Sequence, residues 1–232
     1  MISTDPSYGT QFSICTLVTN KETYSKMVDS YHDAGFGNCE FLTIDNTEGN
    51  KVCAYRGLNL LMNQAQGKYI SHQDVLIKDH ISILDKKLDE LEKLDPTWAI
   101  VGNAGGISPG KFSLYLEAQN NNFINIGTFP SKVQSLDENW MLLKASAKLS
   151  FSNELSGFHL YGTDICLNAK ILGYNSYVIQ YLLKHEGKGI QDPSFIECKS
   201  AITKKYNKIF NDTIIQTTCC QIHLKNGEKY AN

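Results

Sequence analysis

His72-Gln73-Asp74 sets an imidazole and a carboxylate two residues apart at the end of a short β-patterned run, Lys68-Tyr69-Ile70-Ser71. Strand ends are where α/β proteins present groups to ligands. Aspartate is a hard oxygen ligand for Mg²⁺ or Mn²⁺, and such an ion completes its octahedron with substrate phosphates when the protein supplies only one or two carboxylates. The tripeptide therefore predicts a cation and, through it, a nucleoside diphosphate. Taken alone it reads equally as a solvated strand-to-loop junction, because short motifs recur by chance. Asp164 follows Thr163 at a helix start, where the positive end of the helix would hold a carboxylate ionised, although Thr-Asp is also an ordinary capping pair. His185 opens a glycine-rich segment, His185-Glu186-Gly187-Lys188-Gly189.

These residues need elements to hold them. Residues 12–19 are mostly apolar with β-branched content and read as a buried strand. Asn20 caps a helix whose apolar face is Tyr24, Met27, Val28 and Tyr31, with Gly35 as its stop. A second strand covers 39–44 and ends in Asp45-Asn46. Asn50 is the expected cap of a helix with Ala54, Leu58, Leu61, Met62 and Ala65 on one face, ended by Gly67. The third strand then delivers His72-Gln73-Asp74. Ile81, Leu84, Leu88, Leu91 and Leu94 mark a further helix stopped by Asp95-Pro96, and residues 98–101 a fourth strand. This β-α alternation predicts one mainly parallel sheet covered on both faces. Residues 102–110 and 119–131 read as loops that face substrate or are mobile. Beyond them lie a strand at 140–143, a helix at about 164–172, a strand at 176–182 and a helix carrying Phe195, Cys198, Ile202, Tyr206 and Ile209. From 211 a polar tail holds one strand candidate, 213–220. No linker divides the chain, so 1–232 reads as one domain with its core at about 12–210.

With 232 residues and 26.0 kDa the chain is long enough to bury a core without disulfides. Its net charge of −2 and pI of about 6.3, with dispersed Lys and Arg, exclude the positive stripe that a nucleic-acid backbone requires. Seven cysteines without Cys-x-x-Cys spacing, and no run reading as a leader or a membrane span, predict a protein of a reducing cytoplasm. The adjacent pair Cys219-Cys220 reads as redox-active or as two small buried residues.

The ordered motifs resemble the inverting family-2 glycosyltransferases with the A-type (GT-A) fold, over roughly residues 12–210. Thr19-Asn20 matches the first strand end, which in that family meets the nucleotide base. Asp45-Asn46 matches the acidic site that contacts base or ribose. Ala54-Tyr55-Arg56-Gly57 and Ala65-x-Gly67-Lys68-Tyr69-Ile70 are similar to the helix and lead-in of the metal strand. His72-Gln73-Asp74 stands where the family usually has Asp-x-Asp and resembles a subgroup with a His-Gln-Asp-Val signature.

That resemblance implies a single α/β GT-A domain with a divalent cofactor, Mn²⁺ or Mg²⁺. Asp74 would ligate the metal, and His72 and Gln73 would face the nucleotide along with Thr19, Asn20, Asp45 and Arg56. Phe158-His159-Leu160-Tyr161-Gly162-Thr163-Asp164 resembles the segment ending in Glu-Asp that supplies the catalytic base, with Thr163 in place of Glu. Asp164 is then the implied base, and His185 the histidine that closes over metal and diphosphate. Asp137-Glu138 matches a donor-sugar contact only loosely. The implied partners are a nucleotide-sugar donor, most commonly a uridine one, and a glycan or lipid-linked saccharide acceptor reached from the cytoplasmic membrane surface. A retaining transferase on the same fold, a catalytically silent nucleotide-sugar-binding module and a nucleotidyltransferase are the alternatives. Against the last, a Gly-rich basic loop after the first strand is replaced by Asn20-Lys21-Glu22.

Overall fold

The computed structural model describes residues 2–3, 12–187, 189 and 192–225. In chain order its elements begin with β1 (Ile2–Ser3), β2 (Phe12–Val18), α1 (Lys21–Asp33), β3 (Cys39–Asp45), α2 (Ala54–Met62), β4 (Lys68–Ser71), β5 (Val75–Ile77) and α3 (Ile81–Leu94). Asn20 caps α1 as its sequence predicts, its side chain accepting from Thr23 N–H at 3.0 Å. Asn50 does not cap α2. It lies in the left-handed region at φ 52°, and Cys53 takes the cap position. The helix also stops at Met62, short of Gly67.

The second half runs through β6 (Trp98–Gly102), β7 (Ala104–Ser108), β8 (Lys111–Ala118), β9 (Phe123–Ile126), β10 (Ser131–Val133), β11 (Ser135–Leu136) and β12 (Trp140–Leu143). Then come α4 (Tyr161–Ile171), β13 (Asn175–Val178), β14 (Leu183–His185), α5 (Pro193–Tyr206), β15 (Thr213–Gln216) and β16 (Gln221–Leu224). The expected glycine-rich loop at 102–110 is thus mostly strand. Gly106 explains why glycine recurs there, since a Cβ on it would stand 2.0 Å from the Gln216 carbonyl oxygen.

The large sheet has the strand order β1-β3-β2-β4-β12-β6-β13-β10. β3, β2 and β4 are parallel, as are β6 and β13, but β12 runs antiparallel between β4 and β6. The protein is therefore α/β with a mixed sheet, and the fourth strand of the expected parallel run is displaced by one position. A second sheet has the order β11-β7-β8-β14-β5, with β9 beside β8. The run expected as one strand over 176–182 is strand only through Val178, as β13 in the large sheet, and β14 begins just beyond it at Leu183 in the second sheet.

Each face of the large sheet has its own core. On one face α2, α4 and α5 pack with Ile215, Ile222 and Leu224, and these three are 0% exposed. The polar tail expected from 211 is therefore an integral hairpin, β15–β16, through residue 224. On the other face α1 and α3 pack around Tyr31, Trp140 and Tyr181, and the Trp140 indole N–H donates to Tyr31 Oη at 3.1 Å. Among the described residues no helix is long and apolar enough to cross a membrane.

Candidate metal centre

Strand register brings Asp74 and His185 together. β5 begins one residue after Asp74 and pairs antiparallel with β14, so that His185 faces Val75 and the Glu186 N–H donates to the Asp74 carbonyl at 2.9 Å. His72 arrives from the end of β4, fixed by its backbone N–H to the Asn139 carbonyl at 2.9 Å. One ligand atom from each of His72, Asp74 and His185 falls within 4.8 Å of the other two. Asp74 Oδ1 lies 3.5 Å from His72 Nδ1 and 3.6 Å from His185 Nε2, too far for good hydrogen bonds, and is buried without a hydrogen-bond partner. Three groups aimed at a common point, with a desolvated carboxylate oxygen among them, fit a cation.

Gly187 shapes the same space. A Cβ there would stand 2.1 Å from Asp74 Oδ2 and 2.8 Å from His185 Nε2, so any side chain would fill the centre. Burial opposes charge on both His72 and Asp74, yet their mutual attraction prevails. The His72 pKa is raised by Asp74, with help from Glu138 and Asp137, and that of Asp74 is lowered by His72 and His185.

His72 has a partner outside the triad. Its Nε2 lies 2.8 Å from the Tyr161 hydroxyl, and Tyr161 Oη lies 3.4 Å from the Glu138 carbonyl oxygen. With Nδ1 turned to Asp74, Nε2–H donates to Tyr161, which donates onward to Glu138. Metal-ligating histidines are commonly oriented by such an outer hydrogen bond. Tyr161 is the first residue of α4 because Leu160 holds a left-handed conformation at φ 60°, strained for a leucine. The sharp entry also frees the Gly162 N–H to donate to Glu138 Oε1 at 3.2 Å. Burial, reinforced by Asp137, pushes the Glu138 carboxyl up to about 8.

Beside the centre, at the ends of β2 and β4, a cavity has Leu17, Leu58 and Phe158 as apolar walls and Thr19, His72 and Gln73 on its polar side. Gln73 fastens the two strand ends: its Oε1 accepts from the Thr19 and Asn20 N–H groups, both at 2.8 Å, and its Nε2 donates to the Thr19 hydroxyl. A second, more open space of about 430 Å³ adjoins His185 and Gly187 and is bounded by Leu116, Gln119 and Asn120.

The sequence-derived candidates thus divide. His72, Asp74 and His185 form the centre with Thr19 and Gln73 at the adjoining cavity, and Asn20, whose side chain caps α1, joins them only through its backbone N–H to Gln73. Asp45 is exposed and turned to Thr47 and Lys21, accepting from the Thr47 hydroxyl at 2.6 Å. Arg56 is exposed and lines neither cavity. Asp164 lies apart from these residues. Its side chain is 0% exposed, accepting from Ser152 N–H at 2.9 Å, Ser152 Oγ at 2.5 Å and Tyr206 Oη at 2.6 Å, and it lines neither cavity. These bonds tie α4 to the 150–153 segment and to α5. Tyr161 itself was not singled out by the sequence, although it lies within the quoted 158–164 segment.

No family model matches the chain. A protein of Fuscovulum blasticum described as "ATP synthase subunits region ORF 6" is 31% identical over 229 residues, covering 93% of this chain and 91% of the relative. The chain belongs to that protein's family. The two proteins are alike over nearly their whole length, not over an isolated motif. Among solved structures, A197 from STIV aligns with a TM-score of 0.45 and 11% identity, over 76% of this chain and 86% of the other.

Proposed function

We propose that the protein is a metal-dependent glycosyltransferase that binds a nucleotide sugar between the ends of β2 and β4 and passes the sugar to an acceptor hydroxyl with inversion. The observation that carries the reading is the convergence of His72, Asp74 and His185 on one point beside a cavity at the strand ends. A donor set of two imidazoles and one carboxylate suits Mn²⁺ better than Mg²⁺. When bound, the cation would neutralise the charge that develops on a departing diphosphate. Leu17, Leu58 and Phe158 offer apolar contact to a base, and Thr19 and Gln73 offer polar contact beside it. A GT-A assignment of the mixed sheet belongs to this same proposal.

In this reading the acceptor's proton goes to Glu138 and not to Asp164. Glu138 is half-buried at the entry of α4, next to the residue that orients His72, whereas Asp164 is fully buried and its oxygens are taken up by Ser152 and Tyr206. Burial holds the Glu138 carboxyl up to about 8, so it accepts that proton in its ionised form and turnover should rise as pH climbs toward 8; positioned general-base catalysis contributes about 10²–10⁴ in rate. The test is a thermal-shift panel of nucleotide sugars with and without Mn²⁺, followed by donor turnover. A matching donor at 100 times its Kd adds about 2.7 kcal/mol of stability. Glu138→Gln should keep that metal-dependent shift and lose most turnover. A panel in which no donor stabilises the protein in the presence of Mn²⁺ would remove the proposal, and stabilisation without turnover would select the silent binding module instead.

A further inference from the structure

The end of β2 offers a ligand two backbone N–H donors and a hydroxyl, and the protein fills that place with its own amide. Gln73 Oε1 accepts from both the Thr19 and the Asn20 N–H, each at 2.8 Å, and Gln73 Nε2 donates to the Thr19 hydroxyl. The two donors fix which end of the amide is oxygen, since only that atom accepts. The Asn20 side chain is already engaged as the cap on Thr23 N–H. Thr19 and Asn20 are exposed and Gln73 is half-buried, so all three bonds are within reach of a competing ligand. Thr19 and Gln73 also line the cavity walled by Leu17, Leu58 and Phe158, where a planar ring would find apolar contact.

The chemistry of a competitor follows from the lone pairs. A carbonyl oxygen has two and meets two N–H groups at once, whereas an unprotonated ring nitrogen has one. Gln73 presents an O=C–N–H edge. Uracil and guanine carry the same edge, a carbonyl oxygen beside a ring N–H. Adenine presents a ring nitrogen beside an amino group, and the carbonyl of cytosine has no N–H next to it.

We propose that Gln73 occupies the base site of this protein as an internal competitor, and that a nucleotide whose base has an O=C–N–H edge binds by displacing it. The inference rests on the nucleotide reading above and narrows it to uracil or guanine. Each binding event then requires the amide to swing out, and the apparent affinity is reduced to the fraction of chains in which it is out.

Titration calorimetry of the full chain in Mn²⁺ with the diphosphates of uridine, guanosine, cytidine and adenosine tests the exchange. The parent should bind uridine or guanosine diphosphate more tightly than the other two, and its preference between them identifies the base. Gln73→Ala should bind that nucleotide about tenfold more tightly than the parent. In the parent, the Gln73 side-chain N–H₂ resonances, assigned by their loss in Gln73→Ala, should move to free-amide positions on saturation. An affinity of Gln73→Ala equal to or below the parent's, a preference for the cytidine or adenosine nucleotide, or unmoved resonances would each overturn the exchange and leave the nucleotide reading in place. Binding of none of the four by parent or variant would end both.

Discussion

At the scale of single residues, orientation decides more than identity. His72 is placed by its backbone bond to Asn139 and by the 2.8 Å contact of Nε2 with Tyr161, which leaves Nδ1 toward Asp74. Removing the Tyr161 hydroxyl should free the ring without emptying the core, because Tyr55 and Phe151 still pack edge-on against the remaining ring. Tyr161→Phe is expected to lower Mn²⁺ affinity about 10–100-fold, measured by titration calorimetry, with little change in melting temperature. Asp164 should respond in the opposite way. In Asp164→Asn an amide N–H₂ would meet the donors of Ser152 or Tyr206, leaving a buried group unsatisfied at a cost of about 1–3 kcal/mol. Denaturant unfolding should show that loss while Mn²⁺ affinity stays unchanged. A variant of full stability with weakened metal binding would return Asp164 to the centre.

At the scale of elements, periodicity is a sound guide where a segment has one buried face and a poor one where burial is two-sided or late in the chain. Helix α1, with Met27 and Tyr31 buried, and helix α3, with Leu84 and Leu91 buried, follow their apolar spacing closely. The glycines at 102, 105 and 106 read as a loop because glycine disfavours strands by propensity. Their role is steric: β7 runs so close to neighbouring backbone that only hydrogen fits at Gly106. Hairpin β15–β16 likewise reads as a polar tail, since only Ile215, Ile222 and Leu224 of its strands are fully buried. Gly106→Ala should force this hairpin outward and cost about 1–3 kcal/mol, visible as a lower urea midpoint. An unchanged midpoint would mean that the hairpin contributes no packing there.

Across the whole molecule, the contact of two sheets concentrates acidic and imidazole groups where burial shifts their titration. Glu138 gives this a sign. Its carboxyl is held protonated up to about 8, against an ordinary value near 4.5, so the folded state keeps a proton that the unfolded chain releases. The associated stability is fully present below about 4.5 and lost progressively as pH rises toward 8. Metal-free protein should therefore melt at lower temperature as pH climbs through that window, and Glu138→Gln should flatten this part of the profile. An identical slope in parent and variant would assign the effect elsewhere.

The order of amino acids by itself determined the alternation of strands and helices, the α/β class and the presentation of His72, Gln73 and Asp74 at a strand end, because local periodicity and capping chemistry act between residues close in sequence. Only the tertiary structure decided that β12 runs antiparallel inside the sheet and that residue 185 meets residue 74. It alone turned Asp164 into a buried anchor and brought Glu138 with Tyr161 to the centre. Those outcomes depend on register between strands and on the face a helix turns inward, and both are settled by burying distant apolar surfaces together.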